Sequence, residues 1–485
     1  MIKFNFKNLG PIKKGQLELN NFNVFCGGNN TGKTYLNYLV YTILNEIQGI
    51  EKREVITYKK NELNELEETI IIDFEKYIVT LIKTLEKNIK NKLPEVFAME
   101  EEMFANFSIS FNYDLEEIIK MIKESELSHK IGFVYSGVIV KILKPKNDFV
   151  IKINKENGIA VKDTKMNELN RVTDFFNSSY LDSLTSTDYD VKKERDSFIK
   201  RIISLAINRF VNRLIFNFST AKEIFSLPAE RSGLSIFYRN LVENRSNYLD
   251  EIVRNTNEDK FLNLVDKVVK YPKPINDYIN FLNRIHVLEK RTKRSKTRIN
   301  EIVNSIEENI VHGKYFYKEN RMKFKNELNI DLDLHAVSSA VKTFSGFLYY
   351  LKYCARKGDW ILIDEPELNL HPDNQRKLAR ILTYLINLDL RIVITTHSPY
   401  IIEEINNMIM LSRKIKKEEK EFLMKKFKIN KEEIIAPEKV AAYCINKEQV
   451  EPMNKSEYGI AVDSFNEVIN SLNEFSEELY FAEVE

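Results

Sequence analysis

Several things are scarce in this chain of 485 residues, and each scarcity removes a class of answer. Cysteine is one. Cys26, Cys354 and Cys444 lie far apart, are odd in number and lack metal-ligand spacing, which argues against a disulfide framework or a zinc module. A reduced, cytoplasmic protein is the plain expectation. Net charge is another: it is +2, from 73 basic and 71 acidic residues, so a nucleic-acid site must be a local patch and not a global field. No apolar run is long enough to span a bilayer, and the opening "MIKFNFKN" alternates like a strand and lacks a signal-peptide core. No membrane partner is expected. Internal repeats and low-complexity segments are also missing, which sets aside solenoids and arrays.

Hydrophobic residues make up 43% and charged residues 30%, a balance that suits a soluble globular protein with long exposed helices. The length is about three times that of a usual domain, so one compact domain is not expected.

The stretch "CGGNNTGKTY", residues 26–35, follows the apolar run Phe22-Asn23-Val24-Phe25 and matches the P-loop pattern G-x-x-x-x-G-K-[ST] through Gly27, Gly32, Lys33 and Thr34. Glycines let backbone N–H groups crowd around phosphate oxygens with no Cβ in the way. Lys33 would bring a point charge to the β- and γ-phosphates, and Thr34 would place its hydroxyl on Mg²⁺. The following "TYLNYLVYTIL" has helical spacing, so the positive end of a helix would face the anion. Candidate ATP contacts are therefore Gly27, Gly28, Asn29, Asn30, Thr31, Gly32, Lys33, Thr34 and Tyr35.

Along the chain, "IKFNFK", "GQLELN" and "FNVFC" are expected as strands, the first two joined by a turn at Gly10-Pro11. From residue 51 the character changes. "NELNELEETIIIDFEKYIVTLIKTLEKNIKNKL" has helical spacing, "FSISFNY", "GFVYSGVIVKILK" and "FVIKIN" are β-rich, and "DSFIKRIISLAINRFVNRLIFNF" is helical again. "SLPAERSGLSIFYRN" (226–240) has the look of a strand end running into a helix. A second helical excursion carries the basic run "EKRTKRSKTR", in which a phosphate-backbone site competes with a solvated face balanced by Glu289, Glu301, Glu307 and Glu308. "KYFYK" and "MKFKNEL" are strand-like.

"WILIDEPELNLHP" (360–372) is the most informative segment. A buried strand ends in Asp364-Glu365, the acidic pair an NTPase needs opposite its P-loop. Asp364 can hold the Mg²⁺ shell, and Glu365 can orient and deprotonate the attacking water. Some thirty residues on, "RIVITTHSPYII" repeats the strand-then-polar-edge design. It sets His397 where a γ-phosphate would lie, able to donate a hydrogen bond to the phosphoryl group or the water.

Together "GGNNTGKT", "ILIDEPELNLHP" and "VITTHSP" resemble ABC-type ATPases of the AAA class, in the soluble branch related to SMC, Rad50, RecF and OLD proteins. That resemblance implies an α/β fold: a P-loop NTPase head of the ABC type, with a mixed and parallel sheet flanked by helices and large, mainly helical insertions. On it, residues 1–50, 223–240 and 313–411 form the head. Residues 51–222 and 241–312 are insertions, the first with a β-rich segment, and 412–485 are a C-terminal α/β extension. The resemblance also implies that two heads sandwich ATP, a signature segment of one completing the site of the other. "HAVSSAVKTF" stands in that place and lacks the L-S-G-G-Q glycines, which leaves Ser338 and Ser339 as candidates with Lys342 to supply charge. No Q-loop glutamine stands out; Arg231 is a candidate for a related role at the nucleotide or for a salt bridge within the head.

More narrowly, "FKNLGPIKKGQLEL", "LPAERSG", "SSAVK" and "YGIAVDSFNEVINSLNEFSEELY" resemble stand-alone ATPases of bacterial anti-phage defence, as in PARIS, Septu and some retrons. After His397 no D-x-D carboxylate pair follows, so no nuclease is expected in cis and an effector protein is expected as partner. The expected function is a Mg-ATP-driven switch that works as a homodimer or higher homo-oligomer. The alternative is a DNA-repair or DNA-scanning ATPase of the RecF kind that holds nucleic acid on the 290–298 run; near-neutral charge and the lack of a long coiled coil weigh against it.

Overall fold

The computed structural model describes residues 2–50, 59–64, 67–118, 138–143, 148–155, 215–216, 223–254, 270–290, 297–319, 321–446, 448–461 and 463–482. The chain divides into two compact units, one of residues 45–89 and 111–220, the other of residues 2–44, 90–110 and 221–485.

The larger unit is built on a nine-stranded sheet. Its first strands, β1 (Ile2–Leu9) and β2 (Ile12–Leu19), pair antiparallel and alternate buried apolar with polar residues, the pattern of strands with one covered face. The strand β3 (Phe22–Cys26) is buried at every position and leads into the P-loop and helix α1 (Lys33–Gly49). Further strands of this sheet are β6 (Ser108–Phe111), β9 (Ile224–Leu227), β13 (Trp360–Asp364), β14 (Arg391–Thr396), β15 (Val440–Ile445) and β16 (Gln449–Pro452). The order is β6-β1-β2-β16-β15-β3-β14-β13-β9. From β15 to β9 every neighbour is parallel, while β16 runs antiparallel to β15. Continuous apolar runs such as "WILI" and "IVIT" fit strands covered on both faces: β14 lies between β3 and β13, and β13 lies between β14 and β9.

Helices α3 (Arg231–Arg254), α4 (Lys273–Asn283), α5 (Ile285–Glu289), α6 (Thr297–Asn309), α7 (Ser339–Tyr353), α8 (Pro372–Asn387) and α9 (Pro399–Met410) flank this sheet, and one core joins Val24, Ile361 and Ile394 to Leu348, Leu382 and Ile402. Phe225 of β9 stacks flat on Tyr350 of α7, with centroids 3.9 Å apart. The start of β13 is pinned by the buried Asp359, which accepts from the Glu223 and Arg356 amides and the Tyr350 hydroxyl. A separate three-stranded antiparallel sheet joins β10 (Gly313–Lys318), β11 (Arg321–Asn326) and β12 (Asp331–Asp333), so "KYFYK" and most of "MKFKNEL" are strand as expected. Beyond α9 lie helix α10 (Lys417–Phe427), the short pair β17 (Lys455–Ser456) and β18 (Gly459–Ile460), and helix α11 (Asp463–Phe481).

The smaller unit holds a four-stranded antiparallel sheet, ordered β4 (Lys59–Asn64), β5 (Glu67–Asp73), β8 (Asp148–Lys155) and β7 (Val138–Leu143). Helix α2 (Phe74–Phe97) follows β5.

Three expectations need correction. Residues 61–64 and 67–73, read as helical, are strand, because the β-branched run Thr69-Ile70-Ile71-Ile72 favours the pleated state and helical spacing begins only at Phe74. The segment 90–110, assigned to the insertion, belongs to the larger unit, and β6 lengthens its sheet. The segment 412–485 is more than an extension: β15 pairs directly with the P-loop strand along Val440↔Phe22 to Cys444↔Cys26. The helical reading of 196–218 falls almost entirely outside the described residues, as does the basic run between Arg291 and Lys296. Among the described residues no helix is long and apolar enough to cross a membrane.

Candidate nucleotide site

The P-loop leaves β3 at its C-terminal end and closes onto the first turn of α1. Gly32 has φ +102°, and a Cβ there would also press on Ile12 and Pro11 at 2.9–3.0 Å. A Cβ on Gly27 would come within 2.4 Å of the Ile445 carbonyl oxygen, so β15 forms one wall of the loop. Gly28, Asn29 and Asn30 are exposed, and Thr31 Oγ1 donates to the Gly28 carbonyl at 3.0 Å. Lys33 Nζ donates to the carbonyls of Gly27 and Gly28 at 3.1 and 2.7 Å. Burial lowers the Lys33 pKa, against the opposing pull of Glu365, Asp364 and Glu367. Tyr35 sits differently from its neighbours: its ring packs on Phe97 at 5.1 Å and its hydroxyl reaches Met99 Sδ at 3.8 Å.

Opposite the loop, Asp364 ends β13 with 4% of its surface exposed. Thr34 Oγ1 donates to its Oδ2 at 3.2 Å, and the Thr395 hydroxyl donates to its Oδ1. Burial raises the Asp364 pKa, the Thr395 hydroxyl opposes this, and the Glu365 charge adds to it. Parallel strands thus bring a hydroxyl from residue 34 and a carboxylate from residue 364 to one point. That is a donor set for a hard cation held mainly through water. Among the described residues no cluster of three or more His, Cys, Asp or Glu could hold a metal by itself. The Thr34 hydroxyl and the Asp364 carboxylate fit a Mg²⁺ that would take its remaining ligands from phosphate and solvent.

Glu365 turns the chain out of the sheet with φ +49°, its amide donating to the Thr395 backbone oxygen at 3.1 Å. Its Oε1 lies 3.6 Å from His397 Nε2. Burial lowers the His397 pKa and the Lys33 charge does the same, while Glu365 and a hydrogen bond with the Gly27 backbone hold it up. Lys33, Asp364, Glu365 and His397 converge, as the sequence implied.

Arg231 has another place. It is 2% exposed and donates to the backbone carbonyls of Pro228 at 3.1 Å and of Asp364 and Glu365 at 2.7 Å each. It holds the acidic turn through backbone carbonyls, and among the described residues it makes no side-chain salt bridge. Ser338 caps α7, accepting from the Val341 amide at 3.4 Å, and Ser339 opens that helix. Both are exposed and Lys342 follows on the same helix; within one chain the three make no hydrogen bond to the P-loop or acidic turn.

Sequence reasoning missed the residues that support the site. Glu367 Oε1 accepts from Thr396 Oγ1 at 2.9 Å and from the His397 amide at 2.6 Å, fixing the histidine loop to the acidic turn. Gln375 of α8 bonds Ser398, which itself caps α9. The doubled threonine before His397 and the second glutamate of "DEPE" were the available signals.

A model of the AAA ATPase domain matches residues 1–402. The chain belongs to the AAA ATPase domain family. This AAA ATPase has an α/β P-loop NTPase fold and is a nucleotide-binding ATPase by family. Among solved structures it is similar to an Smc head bound to the C-winged helix domain of ScpA, at TM-score 0.33 and 10% identity over 93% of this chain and 97% of that one. It is also similar to the Smc head domain with an extended coiled coil bound to the C-terminal domain of ScpA from Pyrococcus furiosus, at TM-score 0.29 and 10% identity over 98% and 99%. No curated protein matches the chain.

Proposed function

We propose that this AAA ATPase binds and hydrolyses Mg-ATP in an ABC-type head and uses the cycle as a switch. The observation that carries the reading is the convergence of Lys33, the Thr34–Asp364 pair and the Glu365–His397 pair at the ends of three adjacent parallel strands. Bound Mg²⁺ supplies positive charge to the phosphates. Lys33 exchanges its loop carbonyls for phosphate oxygens, and Thr34 and Asp364 hold the cation's shell. Glu365 takes the proton of the attacking water, and neutral His397 donates a hydrogen bond where charge develops.

Ser338 and Ser339, exposed at the start of α7, and the half-buried Lys342 one turn on are suited to reach the nucleotide of a second head. That supports a homodimer or larger ring in which ATP favours the closed pair, by its greater affinity for that state. The likeness of its sequence segments to defence ATPases supports a role in anti-phage defence, with a separate effector protein held or released by the switch.

The test is Glu365→Gln. ATP affinity is expected to stay within a factor of a few while phosphate release falls by about 10²–10⁴-fold. Light scattering should show a rise in mass on adding Mg-ATP that persists in the variant. Unchanged turnover would remove Glu365 as the base, and a variant whose mass does not change when ATP binds would remove the ATP-driven pairing of heads.

A further inference from the structure

Two helices of the larger unit leave faces uncovered, and the two faces complement each other. Helix α10 buries none of its residues fully; Leu423 rests against the core, while Phe422 and Phe427 stand 62% and 49% exposed. Lys426 Nζ lies 5.9 and 5.4 Å from those rings. Between Arg413 and Lys431 the sequence has nine basic and three acidic residues. Helix α11 is the opposite. Leu472, Phe475 and Leu479 are each 61% exposed, Tyr480 83% and Phe481 78%. In sequence Phe465, Val468, Leu472, Phe475 and Leu479 recur at alternating spacings of three and four, the seam of a helix that packs on another. After Lys455 there is no Lys or Arg, while α11 carries Asp463, Glu467, Glu474, Glu477 and Glu478.

We propose that α11 of one copy docks on α10 of a second copy of this chain. Two α11 helices would set acidic flanks against each other, which disfavours pairing like with like. The α10 face offers exposed aromatics for the leucine–phenylalanine seam and lysines for the glutamates. Aromatic side chains carry about 150–250 Å² each, so the exposed rings of Phe422 and Phe427 on α10 and of Phe475, Tyr480 and Phe481 on α11 bring apolar surface on the order of several hundred Å² to the contact. Among the described residues the exposed face of α11 takes no intramolecular contact. Arg413 stacks on Tyr458 at 4.1 Å, so both helices leave from one place, yet α11 stays exposed from Leu472 onward. Neither helix bears a residue of the nucleotide site, so this contact needs no paired heads.

The test is light scattering of the full chain without nucleotide. The wild type should reach at least twice its 57.1 kDa mass. Leu472→Asp with Phe475→Asp should return it to monomer, as should Lys425→Glu with Lys426→Glu, and Glu477→Lys with Glu478→Lys. Mixing the two charge-reversed proteins should restore association, as should combining both reversals in one chain. All substituted residues are exposed, and unchanged circular dichroism confirms folding. A monomeric wild type overturns the proposal. So does association that the substitutions leave intact, and so does failure of the mixture to associate, which would point to another partner or to the chain's own helix.

Discussion

Replacing Arg231 with methionine separates two roles that the same residue was given by sequence and by structure. Its guanidinium donates two 2.7 Å bonds to the backbone of Asp364 and Glu365, and a bond from a charged donor is worth about 1.5–3 kcal/mol. Losing both gives about 3–6 kcal/mol. Part of this is recovered because a buried charge, whose pKa burial already lowers, no longer has to be desolvated, so a loss of about 3–4 kcal/mol is expected. The chain has one tryptophan, Trp360, buried in β13 four residues before Asp364, so its fluorescence follows the unfolding of this sheet alone. With a urea slope of about 2–3 kcal/mol/M, the Trp360 midpoint should fall by about 1–2 M. ATP turnover should fall with it, since Glu365 loses the anchor behind its turn. An unchanged midpoint with weakened ATP affinity would refute the backbone-clamp reasoning and return Arg231 to the nucleotide.

Asp364→Asn should stabilise the empty head at neutral pH. The folded pKa of Asp364 lies above its unfolded value, so the carboxylate costs stability once pH rises through the folded pKa, and the amide removes that cost. A gain of about 0.5–2 kcal/mol in the Trp360 transition, together with lost Mg-dependent ATP affinity, is the expected result. For His397 the sign is reversed in pH. Its folded pKa lies below 6.5, so on acidification the unfolded chain takes up the proton first and stability is lost as pH falls below about 6.5. His397→Gln should flatten that part of a midpoint-against-pH series.

The strands around the site were legible because each has a local signature: alternation in β1 and β2, continuous apolar runs in β3, β13 and β14. The P-loop and acidic turn were legible because their chemistry is local too. Pairing partners were not. Nothing in "VAAYCI" says that it lies against "FNVFC", some four hundred residues away. The buried Arg231 misled for a related reason: an arginine beside a strand end suggests a charged ligand, while here its partners are carbonyls, which a sequence does not display. In 61–73 the density of glutamates around Leu63 and Leu66 imitated a charged helix and outweighed the isoleucine run.

The place of β3 has a consequence for synthesis on the ribosome. Its two neighbours, β14 and β15, begin at Arg391 and Val440, so the mostly apolar strand Phe22–Cys26 emerges long before either. At about 5–20 residues per second the nascent chain waits roughly 20–70 s for the first of them. During that interval an exposed strand with the P-loop at its end has no sheet to join. The candidate nucleotide site is thus among the last parts of the molecule able to form, and a ribosome stalled in between carries a sticky chain without it.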